Sequence, residues 1–360
     1  MTSTVGVIDV ARRAHVSLGT VSNVLNRPER VSKATRERVL AAIEELGFVR
    51  NEAARQLRAG RGRSIGLVVL DTSNPFFTDL AAGVESTAAD AGLSVMLCNS
   101  GNNPEREEHY LSLLEEQRAF GILITPVAGK SSQIDNIRQR GTSVVFADRG
   151  SGRRQCSVGV DDVVGGGLAV NHLLAGGHEL IAFVGGPTSI SQVRDRLAGA
   201  RTAMTKAQKP GTLLTVIATV ELTFAAGRRA GQQIAALPPR TRPTAAFCAN
   251  DLVALGLLQE LHRLKVAVPQ EISVVGYDDI DFAAASIVPL TSVRQPRSEI
   301  GRAAATLLID EVQNPDSHIH RQLVFKPELT VRESTSSLTK PTRSKKSTAA
   351  SRSRSPKGGG

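Results

Sequence analysis

The chain has 360 residues and 41% hydrophobic content, too long for one typical domain and apolar enough to bury a sizeable core. Its net charge of +10 sits at the ends: residues 1–62 hold 11 Lys/Arg against 6 Asp/Glu, residues 334–360 hold 7 Lys/Arg and no acid, and the stretch between is near neutral with 26 against 28. Three scattered cysteines (Cys98, Cys156, Cys248) argue against a disulfide framework, and no apolar run approaches the ~20 residues needed to span a bilayer. With no basic segment followed by an apolar run at the start, a cytoplasmic protein is expected.

Residues 5–47 read as three short helices. The first runs from Ile8 to about Ala14, with Val10, Ala11 and Ala14 on one side. Ser17 caps a second, to about Leu25, whose apolar face is Val21, Val24 and Leu25. That leaves Leu18, Gly19, Thr20, Ser22 and Asn23 facing outward. Asn26 opens a turn, and Ser32 caps a third helix with Val39, Leu40, Ile43 and Leu46 inward and Gly47 at its stop. A second helix with small polar residues outward has the shape that enters a major groove, and a basic compact end suits nucleic acid.

Residues 50–63 (RNEAARQLRAGRGR) are helix-permissive, then Gly-rich, and read as a linker that orders only in company. From residue 64 apolar runs alternate with helical stretches. Nine runs read as strands: 65–70, 93–99, 121–125, 143–148, 157–161, 180–185, 212–218, 245–250 and 272–278. Strands apolar on both faces with helical crossovers imply parallel doubly wound sheets, and nine are too many for one sheet of average size. Two halves with a cleft between them are therefore expected, with ligands beyond the C-terminal ends of the strands. Residues 334–360, rich in Ser, Thr, Lys and Arg, read as a disordered tail.

Several motifs carry a resemblance. VIDVARRAHVSLGTVSNVLN (7–26), RVSKATRERVLAAIEELGF (30–48), NEAARQLRAGRGRSIGLVV (51–69), DTSNPFFTDLAAGVE (71–85), DRLAGARTAM (195–204), FCANDLVALG (247–256) and ISVVGYDDID (272–281) stand in an order and spacing that closely resemble lactose/galactose-repressor (LacI/GalR) family regulators from about residue 5 to residue 333. The resemblance implies an α/β chain. It would comprise a helix-turn-helix head (1–49), a hinge helix (50–63), a two-lobed periplasmic-binding-protein-like core (64–333) and the basic tail (334–360). It also implies a homodimeric repressor that binds a palindromic operator in double-stranded DNA and is switched by a small effector, a sugar or related metabolite. No cofactor, no metal and no membrane are implied.

Carried over residue by residue, the resemblance gives Leu18 and Gly19 the base-reading positions at the start of the recognition helix. Ser17, Thr20, Ser22 and Asn26 take contacts to bases or phosphates, and Arg30 one to the backbone. Asn23 stands where Arg is usual; Asn pairs best with adenine, so the operator is expected to differ at that base pair. In the hinge, Leu57 matches the residue that wedges between central base pairs, Asn51 and Arg55 lie beside the groove, and Arg50 replaces a common Pro. In the core, Phe76, Phe77, Asp148, Arg196, Leu222, Asn250 and Asp278 match effector-binding positions, most of them just past a strand end. Arg offers a planar donor fork and the acids accept from hydroxyls, which favours a sugar or polyol.

Weaker patterns are set aside. Gly165-Gly166-Gly167 and Gly185-Gly186-Pro187 read as turns, since neither fits a phosphate-binding loop. His318 and His320 have no Cys/His cluster beside them in sequence, so a metal is not expected. A transport solute-binding protein would show a signal peptide and no DNA head. An enzyme would show a nucleophile or an acid–base pair, and a ligand-independent DNA organiser would lack the cleft groups.

Overall fold

The computed structural model describes residues 5–48, 62–127, 132–150 and 155–338. The chain divides into two compact units, Met1–Gly62 and Arg63–Gly360.

In the first unit, α1 (Val7–Ala14) is closed by His15 in the left-handed region (φ 52°). In α2 (Leu18–Asn26) the Ser17 hydroxyl accepts from the Thr20 N–H at 3.1 Å, satisfying one of the donors a helix start leaves free. A 3-10 turn, Pro28–Arg30, leads to α3 (Lys33–Leu46), capped by Ser32 and stopped by Gly47 at φ 60°. Val10, Ala11, Ala14, Val21, Val24, Val39 and Ala42 form the core. Leu40 departs from the expected inward stripe: it is 49% exposed, and Ala42 points inward instead, because the stripe follows 39, 42, 43 and 46 and leaves residue 40 about a quarter-turn away.

The second unit holds two six-stranded sheets. The first lobe carries β1 (Ser64–Val69), β2 (Ser94–Asn99), β3 (Gly121–Ile124), β4 (Val144–Ala147), β5 (Ser157–Val160) and the late strand β11 (Gln322–Phe325), in the order β11-β5-β4-β3-β1-β2 and all parallel. The second carries β6 (Leu180–Gly185), β7 (Leu213–Ala218), β8 (Ala245–Cys248), β9 (Ser273–Asp278), β10 (Thr291–Arg294) and β12 (Glu328–Thr330), in the order β12-β10-β9-β8-β6-β7, with only β12 antiparallel. All nine expected strands are present, and β10, β11 and β12 are additional. β3, β4, β8 and β9 are buried along their whole length, as strands covered on both faces must be.

Helices α4 (Pro75–Asp90), α5 (Pro104–Glu116) and α6 (Ser132–Gln139) follow β1, β2 and β3. α7 (Asp162–Ala175), α8 (Ser191–Ala207), α9 (Phe224–Ala236), α10 (Asp251–Arg263) and the short α11 (Asp281–Ala285) belong to the second lobe, and α12 (Arg297–Gln313) returns to pack on α4. The chain thus passes between lobes three times: after β5, after β10 and after β11.

Two sequence expectations are corrected here. Gly165–Gly167 is not a turn but lies inside α7. A Cβ on Gly166 would stand 2.0 Å from the Arg196 carbonyl oxygen, and one on Gly199 2.0 Å from that of Val163, so these glycines let α7 and α8 touch along their backbones. Residues 334–338, expected to belong to a disordered tail, are ordered against the second lobe. Ser334 is fully buried: its hydroxyl donates to the Val274 carbonyl at 2.6 Å and accepts from the Thr291 N–H at 2.8 Å. The Ser336 carbonyl lies 3.0 Å from Nε2 of buried His178, and the Leu338 N–H donates to the Gly176 carbonyl at 2.8 Å. Residues 339–360 lie outside the described residues.

Truncation after Glu333 strands those buried backbone groups and is expected to lower stability by about 2–4 kcal/mol. Truncation after Leu338 should leave it unchanged. Urea unfolding of the two proteins checks this; equal stability would show that the segment holds nothing.

Candidate functional site

The outward face of α2 is built from the residues its apolar face leaves over. Ser17, Leu18, Gly19 and Asn23 are exposed, Thr20 and Ser22 are half-buried, and Leu18 presents 48% of its surface to solvent. Exposed Asn26 folds its amide onto the Ser22 carbonyl at 2.8 Å, so these two positions are partly engaged with each other. Arg30 is exposed on the turn after α2. A Cβ on Gly19 would meet nothing closer than the Ser17 hydroxyl at 3.7 Å, so nothing within the head requires glycine there. Arg50, Asn51, Arg55 and Leu57 lie outside the described residues.

In the second unit, all seven expected effector residues line one cavity between the lobes. Asn74, the cap of α4, holds the Phe76 N–H at 3.0 Å; it thereby seats Phe76 and Phe77 in the first turn, where their rings stand edge to face at 5.0 Å. Asp148 follows β4 at φ 55° and Asp278 ends β9 at φ 108°, both left-handed conformations that turn a strand end into the cleft. Asn250 caps α10, and its amide donates to the Leu222 carbonyl at 3.1 Å. Asn250 therefore has a structural duty as well as a place on the wall.

Arg196 on α8 is the centre of the site. Its Nε donates to Asp162 at 2.8 Å, its Nη1 to the Ala249 carbonyl at 2.6 Å, and Asp278 lies 3.7 Å away. Its guanidinium rests 3.6 Å from the centre of the Tyr277 ring. Burial opposes its charge, but Asp162, Asp278 and Asp148 overcome that and hold its pKa above the ordinary arginine value. The acids also shift upward, which for a carboxyl disfavours the charged form. Burial, reinforced by the charge of Asp162, pushes Asp148 well up; burial also raises Asp162 and Asp278 in spite of Arg196.

Two side-chain amides make three hydrogen bonds that join the lobes across the cavity. The Asn74 amide donates to Asp278 Oδ2 at 3.1 Å, and the Gln192 amide donates to the Asp148 carbonyl at 2.7 Å and to its Oδ2 at 3.0 Å. The cleft is therefore nearly shut, with about 40 Å³ of room, enough for roughly two or three waters. Asp148 Oδ1 and Asn102 Oδ1 are buried in its wall without a hydrogen-bond partner among the described residues.

Sequence reasoning missed Leu70, Asp71, Asn74, Asn102, Ile190 and Gln192, which complete the wall. Gln192 had a legible signal: it lies one helical turn before Arg196, on the same face of α8. Asn74 stood in the quoted NPFF motif as a helix cap.

A model for bacterial regulatory proteins of the lacI family matches residues 7–51, and one for a periplasmic binding protein-like domain matches residues 170–335. The HTH-type transcriptional repressor PurR of Aliivibrio fischeri is 33% identical over 334 residues, covering 91% of this chain and 97% of its own. The chain belongs to the lacI family of bacterial regulatory proteins. The lac repressor dimer bound to operator and the anti-inducer ONPF superposes with a TM-score of 0.80 at 28% identity, over 93% of this chain and all of that one. A complex of the transcriptional regulator CelR with cellobiose gives 0.66 at 31% identity, over 92% and 99%. As a lacI-family member the protein is a DNA-binding transcription regulator rather than an enzyme.

In this regulator Arg196 is structural as well as exposed to the cleft. Arg196→Met leaves Asp148, Asp162 and Asp278 buried without their cation and should cost about 3–5 kcal/mol at neutral pH. Carboxyls whose folded pKa is raised stabilise the fold while protonated at low pH and cease to as pH rises through those values. The loss should therefore be larger at pH 8 than at pH 5. Urea unfolding at both pH values checks the sign; a loss independent of pH would remove the charge network from the account.

Proposed function

We propose that this regulator is a ligand-gated repressor. It works as a homodimer on a palindromic operator in the cytoplasm, and its effector is a sugar or related polyol held between the lobes. The observation that carries the effector class is the pair of buried acceptors, Asp148 Oδ1 and Asn102 Oδ1, facing the cavity without donors. A buried acceptor left unpaired costs about 1–3 kcal/mol, and a ligand hydroxyl placed between the lobes would recover it. Phe76, Phe77 and Leu222 offer apolar wall to the carbon faces of a sugar ring, and Arg196, Asn250 and Asp278 would fix its orientation.

Closure and ligand binding compete for the same polar groups. A ligand that keeps the Asn74–Asp278 and Gln192–Asp148 bonds favours the closed lobes, and one that takes their place favours an open arrangement. Either way the shift is limited to the ligand's differential affinity for the two states, and its coupling to DNA is reciprocal. Homodimerisation is supported by an apolar groove of about 600 Å³ on the second lobe, lined by Phe224, Leu252, Leu255, Phe282 and Ile287, with Ile287 88% and Phe282 60% exposed.

On DNA, the reading is that Leu18 and Asn23 reach base edges, Gly19 allows close approach, and Ser17, Thr20, Ser22, Asn26 and Arg30 position the head. Asn51, Arg55 and Leu57 act in the hinge. The basic residues beyond Leu338 add nonspecific, salt-sensitive affinity, and the protein truncated after Leu338 reads that contribution separately.

Sequencing genomic fragments captured by the purified protein tests the reading; a recurrent palindrome is expected. Repeating the capture with Asn23→Arg should move the preference at one symmetric base pair from A·T toward G·C by about 1–3 kcal/mol and leave the rest of the site unchanged. An unchanged palindrome would remove Asn23 from base reading, and no enrichment with or without pooled metabolites would overturn the repressor reading.

A further inference from the structure

The first lobe carries a second polar cluster, at the rim opposite the cleft. β5 and β11 are parallel neighbours with Ser157 paired to Gln322, so the residues just before them, Cys156 and Arg321, come side by side. This is the end of the sheet where the parallel strands begin, away from the strand ends that build the cavity. The segment joining α12 to β11 brings His318 and His320 against Cys156, and the last turn of α12 adds Glu311. The sequence alone showed two histidines two residues apart with nothing beside them; their partners are 162 positions back and one helix end away.

One ligand atom from each of the four residues lies within 4.8 Å of all the others. Cys156 Sγ is 3.1 Å from His318 Nε2 and 3.7 Å from His320 Nδ1. Glu311 Oε2 is 3.8 Å from the same His318 nitrogen and 3.7 Å from the same His320 nitrogen. A tetrahedral zinc ion, with bonds of about 2.3 Å to sulfur and about 2.0–2.1 Å to nitrogen or oxygen, separates its ligand atoms by about 3.3–3.6 Å. These four separations bracket that value, and the two remaining pairs lie within 4.8 Å, a spread that side-chain adjustment on binding would have to close.

Three further observations point to a ligand. Glu311 Oε2 is buried and has no hydrogen-bond partner among the described residues, a costly state for a carboxylate that a cation would relieve. His318 Nδ1 is 2.7 Å from Asp310 Oδ2, and the Asn314 amide donates to the other oxygen of that carboxylate, Oδ1, at 2.9 Å, so Nε2 is turned toward Cys156 with its tautomer set by a carboxylate. The Arg321 backbone N–H donates to Cys156 Sγ at 3.4 Å, a bond that would also serve the sulfur of a metal-bound thiolate. A purely hydrogen-bonded Cys–His pair would account for none of the Glu311 arrangement.

We propose that Cys156, Glu311, His318 and His320 bind one divalent transition-metal ion, with zinc the best fit to a Cys-His-His-carboxylate set. With all four positions supplied by protein, the site is structural. It ties the end of α12 and the edge strand β11, whose side chains are largely exposed and contribute little packing, to β5 in the sheet interior.

The test uses the full chain purified without a polyhistidine tag. Metal analysis after dialysis should find about one zinc per chain, and cobalt(II) should produce a thiolate charge-transfer band together with the intense visible bands of a tetrahedral ion. Cys156→Ser removes a buried ligand and risks the fold, so His320→Gln, at a side chain 35% exposed, decides. It should remain folded and bind zinc at least about 100-fold more weakly. Asp310→Asn should keep the stoichiometry and weaken binding about 10- to 100-fold. Zinc far below one per chain in the folded wild type, cobalt bound without a thiolate band, or unchanged affinity in His320→Gln would each overturn the site.

Discussion

The second unit is organised around one buried cation. Arg196 is surrounded by three buried carboxyls, a backbone carbonyl and a tyrosine ring, and each buried charge in that group relies on the others for compensation. Its partners come from different parts of the chain: Asp162 from the start of α7, Asp278 from the end of β9, Ala249 from beyond β8. Asp148, from the first lobe, feels the same cation. Holding an arginine there requires α7 and α8 to meet along their backbones, which is why glycine stands at 166 and 199. A buried ion network of this kind adds little stability over apolar packing, but it fixes geometry, because each misplacement strands a charge.

That geometry makes lobe closure a two-sided choice. The acids of the cleft are either hydrogen-bonded across it, by Asn74 and Gln192, or available to something placed between. The bonds that Asn74 and Gln192 make across the cavity use atoms that a polar ligand would also use. Such a device is bistable, because intermediate openings satisfy neither arrangement. The chain crosses between lobes three times, at short connections after β5, β10 and β11, so relative motion of the lobes is limited to hinge bending at those points.

Much of this was legible in the sequence, for identifiable reasons. The nine expected strands stood out as apolar runs, in the interior strands because both faces are buried, although β2 and β7 lie at sheet edges and are partly exposed. β10, β11 and β12 carry no such run: Thr291, Ser292 and Arg294 interrupt β10, β11 opens on Gln322 and is mostly exposed, and β12 has three residues. The seven cleft residues were legible through strand ends and the family resemblance. Asn102 was not, since a polar residue in a loop carries no signal of where the loop points. Gly165–Gly167 was misread because glycine weakens a helix by about 1 kcal/mol relative to alanine, and only the approach of α8 explains why the helix accepts it. Residues 334–338 have the composition of a disordered tail, yet their hydroxyls and backbone are paired in the second lobe. Polar composition predicts disorder only where such partners are missing. The Cys156–Glu311–His318–His320 cluster was invisible for a related reason: parallel pairing of β5 with β11 is a tertiary event with no local trace.

If the lobes gate the head, the lobe-to-lobe hydrogen bonds of Asn74 and Gln192 set DNA affinity, although neither residue belongs to the head. The direct measurement is the operator dissociation constant of the Asn74→Ser, Gln192→Ala protein against wild type, without effector and at one salt concentration. Serine keeps the cap on α4 while losing the reach to Asp278. If closure governs DNA binding, the two constants should differ by about 5-fold or more, the lower end of ordinary allosteric coupling. Identical constants, with both proteins folded, would contradict it and leave the cleft a binding site with no hold on the DNA.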